Sequence, residues 1–437
     1  VRIKFDGLWR NPNFVKLWAG ETISIFGSLV GRTALPFTAI LVLDAGPLEI
    51  AALYTAELAP AFLLGPVIGV WVDRLRRRPI MIAADIGRFL LLATIPLAHL
   101  FDALSIGQLY VVAFFVGILT ISFDVAYLSY LPSLVKREEL LEGNSKLAAS
   151  SSVAEVAGFS LSGWLVQIVT GPVTIFIDAV SFLFSAAFLL TIGAKEPEPA
   201  PAHERQSVRT EFTEGLRFLL GNAVLRATAA ASIVLEMSWR LFGAVFLIYV
   251  TKDIGFNPGV LGMIFAVGGV SSLFGAVLAQ RSARVFGVGP SMWGGIALMS
   301  LSMLFVPLAQ EASIIAASLL IAQQLVGDGG VTVFEVNQMS LRQTLTPQRM
   351  LGRVNATIRL SSLAAMLAGS LIGGVMGETV GLRATLVAGA GVTLAAALCV
   401  FFSPARWLRE TPELEEAIET HAAEIVAESP LLPGPEV

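Results

Sequence analysis

The 437-residue chain is 55% hydrophobic and 14% charged, with a mean hydropathy of +0.76, against about 25% charged in an ordinary soluble domain. That composition excludes a soluble globular protein, and a single cysteine, Cys399, excludes a disulfide framework or a Cys-based metal site. The net charge of −4 conceals a sorting of charges by loop, and with no basic stretch carrying interleaved aromatics nucleic-acid binding has no support.

The N-terminal residues lack the apolar core and small-residue cleavage site of a signal peptide. A membrane span needs about 20 mainly apolar residues, and twelve segments qualify: 14–43, 48–72, 79–101, 106–131, 144–170, 172–193, 223–250, 257–280, 289–310, 312–341, 354–380 and 382–403. Counted along the chain, one set of loops and termini holds 21 of the 29 Lys and Arg residues, whereas the opposite set holds only Lys252 and Arg383. This asymmetry predicts that both termini are cytoplasmic. Its densest point is the turn after the second span, Gly69 to Met81, where Asp73, Arg74, Arg76, Arg77 and Arg78 precede a Pro79 suited to the first position of the next helix.

A Pro-, Glu- and Ala-rich stretch from Ala194 reads as a linker. From Ser207, the helical spacing of Val208, Phe212, Leu216 and Leu219 predicts an amphipathic helix along the cytoplasmic surface. The chain thus divides into an N-terminal bundle (1–193), a linker (194–222), a C-terminal bundle (223–403) and a cytoplasmic tail (404–437), in which Thr411 and Pro412 start a further helix. Leu134 to Asn144 realigns on Leu345 to Asn355 at a shift of 211 residues, and the same shift carries Gly158 to Gly369 and Gly163 to Gly374. Two related bundles follow, with small residues letting helices approach closely. The fold class is all-α integral membrane: twelve transmembrane helices in two pseudo-symmetric six-helix bundles.

Charged residues inside spans each cost at least ~2.5 kcal/mol at mid-bilayer and so mark function. The deep ones are Arg32, Glu57, Glu155, Glu236, Arg240 and Asp328, with Glu21 and Glu335 closer to the cytoplasm. Glu236 and Arg240, one turn apart, are placed to form an ion pair, and Trp239 beside them offers a ring for an aromatic or amphipathic substrate. Asp328 has no base within a turn in sequence, so it is read either as a proton carrier or as a hydrogen-bonding bridge between helices. Glu21 and Arg32, about three turns apart, share a face of the first helix. Asp85 with Arg88, and Asp178, read as structural. No phosphate-binding loop, cofactor motif or metal-ligand cluster is present, so an enzyme is not indicated and energy must come from a gradient.

The basic turn resembles the signature loop of the major facilitator superfamily, with Gly69, Asp73, Arg74, Arg77 and Arg78 matching. Further stretches from Ala83, Phe123, Ile177 and Leu341 are similar to the proton-coupled drug exporters that include macrolide-efflux proteins and the enterobactin exporter. The antiporter signature of the fifth helix reads here as Gly158 to Gly163, without its proline and one glycine. The resemblance implies that the first, fourth, seventh and tenth helices line a central cavity, which selects Glu21, Arg32, Asp124, Glu236, Arg240, Asp328 and Glu335. It also implies a cytoplasmic gate in which Asp73 meets the eleventh helix near Asn355 and Arg74 and Arg77 pair with Asp124. The expected function is export of an amphipathic drug or siderophore-like molecule in exchange for protons, by a monomer in a bacterial inner membrane. A lipid or lysolipid translocator and a non-transporting sensor signalling through the tail are the alternatives.

Overall fold

The computed structural model describes residues 7–72, 74–194, 196 and 208–410. The first bundle holds α1 (Pro12–Val42), α2 (Pro47–Val72), α3 (Arg77–Leu100), α4 (Ile106–Leu134), α5 (Leu140–Val169) and α6 (Gly171–Thr191). A short α7 (Val208–Gly221) precedes the second bundle, which holds α8 (Ala223–Ile248), α9 (Pro258–Phe286), α10 (Val288–Met303) continued by α11 (Phe305–Leu308), α12 (Ile314–Leu345), α13 (Gln348–Thr379) and α14 (Leu382–Phe401). Among the described residues eleven helices are long and apolar enough to cross a membrane, and α5, bent by 49° between its two parts, makes a twelfth. The twelve-span architecture read from the sequence is therefore the architecture found.

The duplication is written into the helix ends. α1 and α8, α2 and α9, α3 and α10, and α6 and α14 each begin 211 residues apart. Asn11 and Asn222, at that same shift, both cap their helices by accepting hydrogen bonds from backbone amides two and three residues on, which satisfies donors a helix start otherwise leaves unpaired.

The halves meet through two contacts that obey the same shift. Gly163 of α5 lies so close to α9 that a Cβ there would run into the Pro258 carbonyl, and Gly374 of α13 is as close to the Pro47 carbonyl and Ala51 of α2. Only glycine permits backbones to approach this closely. Two hydrogen bonds reinforce the seam: Gly259 N–H donates to Gln167 Oε1 at 2.9 Å, and Ser370 Oγ donates to the Ala51 carbonyl at 2.9 Å. Beyond them, Lys252 Nζ reaches Asp44 Oδ1 at 2.5 Å, tying the α1–α2 turn to the end of α8. All these contacts lie in the part of the molecule farthest from the basic loops. At the basic end a Cβ on Gly69 would meet open space.

The basic turn is fixed within its own half. Glu196, at the start of the predicted linker, accepts from the amides of Arg77 and Arg78 and pairs with Arg77 at 3.6 Å, capping α3 with a carboxylate where the helix dipole favours one. Arg78 donates to the carbonyls of Leu189 and Leu190, closing α6. The amphipathic helix forms over Val208–Gly221 and is anchored to the second half. α7 packs on α13, with Glu214 joined to Arg353 at 2.6 Å, and buries Leu219 with Val354 and Ile358. The predicted tail helix from Thr411 lies outside the described residues.

Candidate functional site

The packing of α1 and α2 brings two predicted residues together. Arg32 Nε lies 3.3 Å from Glu57 Oε1, and both remain accessible to the opening between the halves. Glu57, on a helix not expected to line the path, thereby joins it. Arg32 sits ten residues from the end of α1, roughly 15 Å along the axis, so this pair forms the floor of the opening. Tyr54, one turn before Glu57, carries the guanidinium of Arg240 over its ring at 5.5 Å. This cation–π contact joins α2 of one half to α8 of the other. The expected Glu236–Arg240 pair is accordingly not closed: among the described residues no ion pair under 4.0 Å joins them, because Arg240 leans across the seam to Tyr54. Trp239, beside it, is exposed.

Nearer the basic end, acidic residues face one another from both halves. Glu335 of α12 is within electrostatic reach of Glu236 of α8 and Glu155 of α5. Asp124 of α4 is the repeat equivalent of Glu335, 211 residues away, and each stands ten residues before the end of its helix. The base facing Asp124 from the other half is Arg359 of α13, which lies inside the family-like stretch from Leu341 but is not singled out there, because nothing in the sequence shows that it faces α4. The expected partners are elsewhere: Arg77 is held by Glu196, Arg74 is exposed, and Asp73 lies outside the described residues. In this conformation the predicted Asp124 gate pairing is therefore not made.

Glu21 and Arg32 share a helix but not an environment. Arg32 goes to Glu57, whereas Glu21 lies among Arg88, Asp85 and Asp124 with one carboxylate oxygen buried and unpartnered. Asp85 and Arg88 form the buried ion pair read from the sequence, at 2.5 Å, and Arg88 stacks on Phe123 at 4.5 Å and Phe182 at 4.1 Å. Asp178 fills the space left by Gly27 and Gly31 of α1 and contacts Ser181. Asp328 is half-buried on the α9 side of α12, against Gly268 and beside Gln324, a position that bridges helices. Gly158 brings α5 onto Leu29 of α1, so the two fifth-helix glycines serve different partners: Gly158 its own half and Gly163 the other.

Residues 7–429 match the family described as transmembrane secretion effector. The chain belongs to that family. Proteins similar to this chain include an uncharacterized major facilitator-type transporter, YfiS of Bacillus subtilis, 26% identical over 386 residues that cover 87% of this chain and 91% of YfiS. The multidrug efflux pump Tap of Mycobacterium tuberculosis is 28% identical over 397 residues, covering 87% and 90%. Among solved structures, a bacterial homologue of the iron transporter ferroportin in its inward-facing state superposes with a TM-score of 0.72 at 19% identity, covering 91% of this chain and 99% of that one. The chain is thus a multi-pass transporter of the major facilitator type.

A second cavity lies to one side of the central opening. A groove of about 540 Å³ runs between α1, α5 and α6, with Phe26, Val30, Leu165, Phe176 and Phe184 among its walls and Thr22 and Ser181 as its polar points. Phe176 and Phe184 are exposed, and exposed apolar side chains within spans face lipid.

Proposed function

We propose that this transporter exports amphipathic small molecules from a bacterial cell in exchange for protons, by alternating access, with the basic end and both termini in the cytoplasm. The observation that carries the reading is the constellation of Arg32, Glu57, Tyr54 and Arg240, drawn from both halves at the floor of an opening that is sealed on the far side. Charged side chains at that depth are kept only where they meet a solute, an ion or one another. The seam of Gly163 and Gly374 provides the fixed pivot and keeps the outer face shut, with the exposed Asp44–Lys252 pair adding little, while the substrate enters from the cytoplasm. Substrate binding through Glu236 and Glu335 draws on the acidic lining, and the multidrug relatives support an amphipathic cargo. In inverted membrane vesicles energised by an acid lumen, uptake of ethidium, tetracycline or erythromycin is expected to collapse on adding an uncoupler and to fall at least tenfold in Glu236→Gln. Uptake that ignores the uncoupler removes the proton from the mechanism.

A lysolipid cargo is the second reading, and the lateral groove between α5 and α6 favours it. It predicts that a fluorescent lysophosphatidylethanolamine crosses the bilayer of proteoliposomes without a pH gradient, and that Phe176→Arg abolishes the crossing.

A further inference from the structure

We infer that the coupling proton is carried by Glu21 and Asp124 in the first half, and that Arg359 of the second half displaces it when the cytoplasmic face closes. This rests on the proton-coupled reading above and goes beyond it by assigning the site. The groups that face Glu21 are Asp85 and Arg88 from α3 and Asp124 and Tyr127 from α4; Asp178 from α6 faces the same arginine. Four carboxylates are set against one buried arginine, with Arg359 of α13 and Arg32 of α1 acting on Asp124 alone, and Arg88 is already committed to Asp85 and to two aromatic faces. A second, independent sign is that buried atoms here lack partners: Glu21 Oε2, Asp85 Oδ2 and Arg88 Nε have no hydrogen bond. An excess of buried carboxylate with an orphaned oxygen is offset by a proton, which supplies the missing donor.

Access and release follow from position. Asp124 is exposed to the cytoplasmic opening, while Glu21 sits behind it, deeper in the bundle. A proton on the pair thus leaves to the cytoplasm through Asp124 in the conformation seen here. Closure of the cytoplasmic face brings Arg359 of α13 toward Asp124, and the guanidinium takes the place of the proton as partner of the carboxylate. Protonation from the outside then frees Arg359 and lets the face reopen. Glu335, the repeat equivalent of Asp124, lacks this backing, because the positions matching Asp85 and Arg88 are Ile296 and Met299.

The test needs no substrate. The full chain in lipid nanodiscs is titrated between about pH 5 and 9 while infrared difference spectra follow the protonated carboxyl band. A band that titrates in the wild type, disappears in Glu21→Gln or Asp124→Asn, shifts its midpoint in Arg359→Gln and persists in Glu335→Gln and Asp328→Asn is the expected result. Because Asp124 faces the opening, Asp124→Asn tests the site even if Glu21→Gln fails to fold. A titrating band that survives both Glu21→Gln and Asp124→Asn overturns the assignment and leaves proton coupling standing, whereas the absence of any titrating band in the wild type removes proton coupling itself.

Discussion

The two halves are copies in backbone and opposites in polarity. At matching positions the first half buries an Asp85–Arg88 pair, and the second buries Ile296 and Met299. Likewise Asp178, filling the gap at Gly27 and Gly31 of α1, corresponds to Gly389, which instead lets α14 approach Phe242 of α8. The fold therefore does not require the buried charges, since the same packing is achieved without them 211 residues later. Their retention in one half, at a cost of several kcal/mol per desolvated ion, is what the proposed division of labour rests on, with ion chemistry in the first bundle and solute contact through Glu236, Arg240 and Glu335 in the second.

The sharpest way to break this comparison is to copy one half into the other. Arg88→Met alone strands Asp85 and should destabilise the protein by about 3 to 5 kcal/mol, whereas adding Asp85→Ile, the pairing of the second half, should restore most of that loss. Thermal unfolding in detergent reads the difference, and a double variant as unstable as the single one would show that the halves are not interchangeable. The pivots should behave alike: Gly163→Val and Gly374→Val each force a side chain against backbone or Ala51, with ~1 to 3 kcal/mol of overpacking and loss of transport. If only one is sensitive, the seam is not symmetric. Next in size, Arg359→Gln and Asp124→Asn should both shift spin-label distances across the cytoplasmic face toward the open state, by removing either partner of the closed-state pair. Smallest is Asp44→Asn at the outer face, an exposed pair worth little. Lys252 holds the Asp44 carboxyl below its ordinary 3.8, so the pair is intact above that range and is lost only as pH falls through the lowered value. Raising or lowering pH near neutrality should leave outer-face spin-label distances unchanged, in contrast to the first-half proton site.

Much of the architecture was legible because hydrophobic length and the sorting of Lys and Arg are local properties of the chain. The 211-residue shift, seen in one loop and two glycine pairs, extended to helix starts and caps for the same reason: duplicated backbones need the same terminal chemistry. The site was less legible. Depth selected Arg32, Glu57, Glu236 and Arg240, but not who meets whom, since Arg32 turns to α2 and Arg240 crosses to Tyr54. Sequence spacing on one helix suggested a Glu21–Arg32 pairing of roles that helix packing separates. Tyr54 carried no motif, and Arg359 lay in a family-like stretch without any sign of its partner across the halves. Glu196, in a stretch whose composition reads as linker, gave no hint that it would cap α3, because a cap formed across 119 residues leaves no periodic trace.

That same Glu196 has a mechanical consequence. The connector between the bundles is pinned at α3 by Glu196 and again at α13 by Glu214, and eleven residues of sequence join Glu196 to Val208. A chain of that length spans at most about 40 Å, so covalent length alone sets a ceiling on how far α3 and α13 can separate at the basic end. Deleting four or five of these residues would shorten the leash, and the transporter's resting posture should tilt toward the shape open to the outside.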